Sequence, residues 1–216
     1  MPSATLEEYL EAIYKLGTDG PVRPGRIAEE MSVSAPTVTA TLRRLAAQGL
    51  IRRDKGAVLL TEEGEREALS ILRRHRLAER FLVDVLGLPW DQVHEDACRL
   101  EHAMSPRVQA ALAEFLEHPD VCPHGHPIPD QHLAVPEPST GDMLYQVPKG
   151  ATVRVVKVDE QDPEAVSEAA RAGLLPGTQC RIEQQVPEGA ILVSVEGKRV
   201  EVTPGLARRI HVSIDG

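Results

Sequence analysis

Residues 25–61, GRIAEEMSVSAPTVTATLRRLAAQGLIRRDKGAVLLT, carry the pattern that decides the fold. Ile27, Ala28 and Met31 share one face of a short helix, and Ser32-Val33 forms a tight turn. Ser34 or Ala35 then caps a second helix with Pro36 in its first turn. Val38, Leu42 and Leu45 form its apolar stripe, and Gly49 ends it. Residues 50–61 read as a two-stranded hairpin around Asp54-Lys55-Gly56. Ahead of this stretch, Leu6, Tyr9, Leu10, Ile13 and Leu16 recur at helical spacing, with a possible capping box from Thr5 to Glu8. Helix, short helix, turn, helix and hairpin is the order of a winged helix-turn-helix.

That order assigns DNA contacts. Ser34, Pro36, Thr37 and Thr39 lie at the exposed start of the helix that enters the major groove. Arg43 and Arg44 further along, Arg26 on the short helix, and Arg52, Arg53 and Lys55 on the hairpin suit phosphates. The alternative is a small helical bundle with solvated arginines. The charge pattern favours DNA. The whole chain carries -9, yet residues 20–60 hold seven positive and three negative charges. Residues 81–139 hold two positive and ten negative. Phosphates need the first segment, and divalent cations are drawn to the second.

Beyond the hairpin, Thr61 caps a long helix over about 62–86, closed by Gly87. Pro89 begins another helix to about Met104, and Ser105-Pro106 begins a third to His118-Pro119. Six prolines between 119 and 139 mark a linker. Short Val-rich strands at 143–148, 152–158, 179–186, 190–195 and 198–203, with a helix at about 163–172, read as a small β-barrel. The chain is therefore mainly α with a small C-terminal β domain. Its expected domains are 1–65 for DNA, 66–139 for a helical domain including the 119–139 linker, and 140–216 for the barrel. Aromatics are only 3% of residues, so the cores rest on Leu, Val, Ile and Ala. The three cysteines give no disulfide framework, and no apolar run spans a bilayer, so the protein is expected to be cytoplasmic, with no membrane partner.

Potential metal ligands recur at helical spacing: Glu8 and Glu11, His75 and Glu79, then His94, Cys98, Glu101 and His102. Faces of this kind meeting could hold one or two octahedral sites with mixed donors. Each residue has a plainer alternative. Glu8 can serve the capping box, Glu11 can pair with Lys15, His75 can belong to a solvated basic face, and Cys98 can be a buried small hydrophobe. The grouping of four donors between 94 and 102 shifts the balance to metal. Cys122, His124, His126 and His132 match no tetrahedral zinc spacing, and the prolines around them argue against a closed site.

The block from His75 to Glu79, the run Val93–Ser105, Ser34–Val38 and Gly125–Pro129 together resemble the metal-dependent repressors typified by the diphtheria toxin repressor, the iron-dependent regulator and the manganese transport regulator. The resemblance implies a winged-helix domain, a helical metal and dimerisation domain, and a C-terminal SH3-like (FeoA-like) domain. It implies a homodimer that binds palindromic operator DNA when metal-loaded, represses metal-uptake genes and is not an enzyme. By resemblance, His75, Glu79 and His94 match an ancillary site, and Cys98, Glu101 and His102 match a primary site. The ancillary site also takes side chains from the C-terminal domain, where Asp162 and Glu164, with Asp159 and Glu160, are the nearest acids. Glu8 stands where iron-type members have methionine. Manganese-type members carry carboxylates at the positions of both Glu8 and Glu11 but a glutamate at that of Cys98. Ala40 replaces the glutamine of iron-type members. The hybrid donor set favours Mn(II), with Fe(II) second. Two other classes share the residues: a dinuclear metalloenzyme, and a winged-helix regulator that senses an organic ligand.

Overall fold

The computed structural model describes residues 3–18, 20–136, 141–160, 162–185 and 189–214; Pro138 and the end of the predicted linker fall outside them. Helix α1 (Ala4–Gly17) buries Leu6, Tyr9, Leu10, Ile13 and Leu16 against α2 (Pro24–Glu30), α3 (Ala35–Ala47) and the start of α4 (Glu62–Arg80). The Ser34 hydroxyl caps α3 by accepting from the Thr37 amide. Ser32, at φ 51, makes the turn between α2 and α3. Strands β1 (Ile51–Asp54) and β2 (Ala57–Leu60) pair antiparallel, joined by Lys55 and Gly56 with φ of 46 and 83. Two positive φ values match the right-handed twist of the strands, which is why glycine follows lysine there. The Val58 amide donates to Val22, so the hairpin is fixed to the body of the domain.

Thr61 caps α4 as its spacing predicts, and α4 continues into a π-helical turn over Phe81–Val85. Helix α5 covers His94–Ala103 and α6 covers Pro106–Phe115. The expected helix start at Pro89 is thus corrected to His94. Residues just before it are held elsewhere: the Trp90 indole donates to Pro123, and Asp91 accepts from Ser167. Helix α6 also stops earlier than expected, because Glu117 and His118 both have positive φ.

Among its described residues, the proline-rich stretch has no regular element beyond one bridge from Val121 to Pro127, yet it is no free-running linker. Cys122, His124 and Ile128 are buried. The physical reason lies in α4. Arg73 donates to the Pro129 carbonyl, Arg76 to Pro127, and Arg80 to Val121 and Cys122. Proline cannot donate, but its carbonyl still accepts. The basic run of α4 therefore binds the carbonyls of this segment, and Arg73 and Arg76 are buried there.

The C-terminal part is an antiparallel six-stranded sheet in the order β3-β8-β4-β5-β6-β7. The strands are β3 (Asp142–Met143), β4 (Thr152–Val158), β5 (Gln179–Gln185), β6 (Ile191–Val195), β7 (Lys198–Val202) and β8 (Ile210–Ile214). Helix α7 spans Pro163–Ala172, and a short α8 spans Pro204–Ala207. The predicted strand at 143–148 is mostly a 3-10 turn, Leu144–Gln146, and sequence reading missed β8. The sheet seats the proline-rich segment through Gly125. A Cβ at Gly125 would lie 2.1 Å from the Val156 carbonyl oxygen, and its φ is 89. Gly125→Ala is expected to destabilise the fold by roughly 1–3 kcal/mol through overpacking and backbone strain. Chemical denaturation checks this; an unchanged midpoint would show that the segment is not seated as described.

Candidate metal centre

His75 and Glu79, one turn apart on α4, are both fully buried. His75 lies between two carboxylates: Nδ1 is 2.6 Å from Glu101 and Nε2 is 3.1 Å from Glu79. A neutral imidazole has one N–H and cannot donate to both. Burial disfavours the charged ring, but Glu79, Cys98 and Glu101 outweigh it and hold its pKa well above the usual histidine value. From α5, the Cys98 sulfur sits 3.8 Å from both His75 Nδ1 and His94 Nε2. Burial pushes the Cys98 thiol up, but the two histidines outweigh it and lower it overall. His94 is half exposed and gives this cluster a route to solvent.

Glu101 and His102 continue the same face toward α1. The His102 Nδ1 is 2.8 Å from Glu7, which also accepts from Arg74. That leaves His102 Nε2 buried with no hydrogen-bond partner among the described residues, 3.5 Å from Glu101 and 3.8 Å from Glu8. Glu7 was not singled out by the sequence; its partners lie on α4 and α5, and spacing along α1 does not reveal them. Glu8 is half exposed, and the Thr5–Glu8 capping box is absent because α1 begins at Ala4 with Ser3 at its cap. Glu11 pairs with Lys15 at 3.0 Å, the plainer role the spacing allowed, while still acting electrostatically on His75 and Glu101.

A second cluster meets the first at Glu79. Glu79, Cys122, His124 and Glu160 are all buried, with donor atoms within 4.8 Å of one another. His124 Nδ1 is 3.4 Å from Glu79, and the Cys122 sulfur is 4.0 Å from His124 and 3.8 Å from Glu160. The other His124 nitrogen lies 3.1 Å from the Trp90 carbonyl, which fixes the ring with Nδ1 facing the cluster. Two carboxylates, an imidazole and a thiol form a donor set for a divalent transition metal. Glu79 Oε2 is buried without a hydrogen-bond partner among the described residues, a polar atom that a cation would satisfy. The residues therefore fit a metal. Burial, with Glu79 and Glu160 beside it, raises the Cys122 thiol far above its usual value, and a bound cation reverses that effect.

This cluster corrects the expectation that the Cys122–His132 group lacks a closed geometry. Cys122 and His124 lie in one tight turn, closed by the Gly125 amide donating to the Cys122 carbonyl at 2.9 Å, and the turn brings both side chains to Glu79 and Glu160, while His126 turns to Val158 and His132 is exposed. The acid from the C-terminal domain is Glu160. Asp162 instead caps α7 and pairs with Arg209, and Glu164 is exposed, so the structure brings neither into the cluster.

On the DNA face, Ser34, Pro36 and Thr37 are exposed, and Arg26 and Thr39 are half-buried. The Thr39 hydroxyl donates to Ala35, one turn back. Arg43, Arg44, Arg52, Arg53 and Lys55 are exposed, and none forms an ion pair among the described residues.

Hydrogen bonding to Cys98 and Glu79 raises the His94 pKa to about 9. A raised histidine contributes stability that is fully present below its unfolded value of about 6.5 and is lost as pH rises through the folded value. In metal-free protein, His94 is expected to titrate near 9 by NMR, with stability falling across that window. Titration near 6.5 would contradict the His94–Cys98–Glu79 arrangement.

Three family models cover the chain. Residues 1–57 match the N-terminal DNA binding domain of the iron dependent repressor. Residues 61–130 match its metal binding and dimerisation domain, and residues 143–214 match the FeoA domain. The iron-dependent repressor IdeR of Mycobacterium tuberculosis is 40% identical over 207 residues, covering 89% of each chain. The diphtheria toxin repressor of Corynebacterium diphtheriae is 34% identical over 223 residues, covering 96% of each. Among solved structures, a manganese-dependent transcriptional repressor in complex with manganese superimposes with a TM-score of 0.87 at 36% identity, over 97% of this chain and all of that one. The manganese regulator SloR gives 0.79 at 32%, over all of both chains. No helix among the described residues is long and apolar enough to cross a membrane. With its DNA-binding, metal-binding and FeoA regions in that order, the chain belongs to the diphtheria toxin repressor family of metal-dependent transcriptional repressors.

Proposed function

We propose that this chain is a Mn(II)-responsive repressor, with Fe(II) the second candidate, that binds a palindromic operator as a homodimer and restrains metal uptake in the cytoplasm. The observation that supports it best is the pair of candidate donor clusters that lie on either side of Glu79, which belongs to one and contacts His75 of the other, in a chain whose first domain presents cations with no ion pair among the described residues beside an exposed helix start. The first centre is assigned His75, His94, Cys98, Glu101 and His102 from α4 and α5, with Glu8 and Glu11 from α1. The second is assigned Glu79, Cys122, His124 and Glu160. A divalent metal supplies concentrated positive charge at these acids. The carboxylates of Glu8 and Glu11 carry that attraction to α1, and α1 packs on α2 and α3, which read DNA. Without it, the like charges of Glu11 and Glu101 oppose one another across the approach of α1 to α5, and α1 is held less firmly. Loading thus shifts a population toward the arrangement that fits successive major grooves.

The dimer reading is supported by Leu86, Leu88, Leu100, Val108 and Phe115, exposed apolar side chains in the region matched by the dimerisation model. The carboxylates and the structural likeness to manganese-dependent repressors support Mn(II). The thiols of Cys98 and Cys122 and the 40% identity to an iron-dependent repressor support Fe(II). Operator affinity, measured by fluorescence anisotropy, is expected to be at least tenfold tighter in Mn(II) than in chelator. Equal affinity in both would overturn the reading, and activation by Zn(II) alone would overturn the metal assignment.

A further inference from the structure

Lys15 is not a metal donor, yet its ammonium lies between two acids assigned to different centres. Nζ is 3.0 Å from Glu11 Oε1 and 3.3 Å from Glu160 Oε1. Lys15 occupies the last turn of α1, beside Leu16 in the DNA-binding core. Glu160 follows β4 of the C-terminal sheet. A single partly buried side chain therefore joins the DNA-binding domain to the acid that the sheet contributes to the second cluster.

The two oxygens of Glu160 divide the work. Oε1 meets Lys15 and Arg76, the latter at 3.2 Å. Oε2 faces the Cys122 sulfur and His126, each at 3.8 Å. Glu160 can turn Oε2 to a cation while Oε1 keeps its bond to Lys15. An ammonium, a compact charge with three donors, can hold Glu11 at the same time. Burial works against the charge on Lys15, but Glu11 and Glu160 outweigh it and keep the side chain protonated.

We infer that Lys15 transmits occupancy of the Glu79–Cys122–His124–Glu160 centre to α1, and so to the DNA-binding domain. The inference rests on reading that centre as a metal site. Fixing Glu160 fixes the end of α1 through Lys15; without the ammonium, Glu160 keeps Arg76 of α4 but loses its direct tie to α1. Lys15 acts here as a positioning residue. Its positive charge also opposes a second cation at Glu160, so its removal leaves metal binding there equal or tighter. A lysine that merely held a ligand in place would weaken binding when removed.

The test uses the full chain, Mn(II) as probe, elemental analysis for metal per chain and operator anisotropy for coupling. Wild type is expected to hold two Mn(II) per chain. Lys15→Met is expected to keep both while its ratio of operator affinity in Mn(II) to that in chelator falls at least threefold, and Lys15→Arg is expected to restore most of that ratio. A Lys15→Met ratio within twofold of wild type overturns the inference, as does loss of the second Mn(II) from that variant. Should Lys15→Met not fold, hydrogen exchange on wild type decides: second-site loading slows amides 14–17, and unchanged exchange overturns the inference. Only one Mn(II) in wild type overturns the second site and the inference together, whereas two with unchanged coupling overturn the role of Lys15 alone.

Discussion

A carboxylate with no exposure to solvent has to be met by positive charge, and Glu79 is met from three directions. Oε1 is 3.1 Å from His75, 3.4 Å from His124 and 3.9 Å from His94. Burial disfavours its ionised form, but these histidines outweigh burial and hold its pKa well below the usual carboxylate value. The residues around it come from α4, α5, the proline-rich segment and the C-terminal sheet. Isolated ionised carboxylates in protein interiors are prohibitive unless paired, so those parts have to arrive together. Against burial, the acids around them raise the pKa values of His75 and His124, and Cys98 with Glu79 raises that of His94; this favours positive charge there, and a metal would compete with those protons. Metal affinity and pH are thereby linked through the same atoms.

Helix α4 gives this arrangement its frame. One face carries His75 and Glu79. Its arginines bind the carbonyls from Val121 to Pro129, so the segment bearing Cys122 and His124 is held along the helix that bears Glu79. Arg76 does both jobs, since it also meets Glu160. The first turns of α4, through Ala68 and Ile71, belong to the DNA-binding core. One helix thus passes from the DNA-binding core to both donor clusters, and α1 lies against it with Lys15 reaching Glu160.

The parts of the fold set by local pattern were legible in the sequence. Ser34, Thr61 and Ser105 cap the helices their spacing assigns, and the hairpin turns at Lys55-Gly56. The donors grouped along α4 and α5 were legible for the same reason, since three- and four-residue spacing fixes a helix face. What escaped depends on contacts distant in sequence. Proline content signals the absence of helix, and it does not reveal that arginines 41–56 positions earlier take up the carbonyls. Glu160 was one of four neighbouring acids, and only the sheet's placement separates it from Asp162, which is used as a cap. Glu7 and Lys15 have partners 95 and 145 positions away, and no periodicity reports those. Strand β8 is a five-residue strand near the chain end that finds its place only between β3 and β4.

The central claim is that one buried carboxylate separates two metal centres. Anomalous diffraction at the manganese edge from Mn(II)-loaded crystals tests it most directly. The account predicts two peaks, one on the His75–Cys98 side of Glu79 and one on the Cys122–His124 side. A single peak, or peaks remote from Glu79, would contradict it.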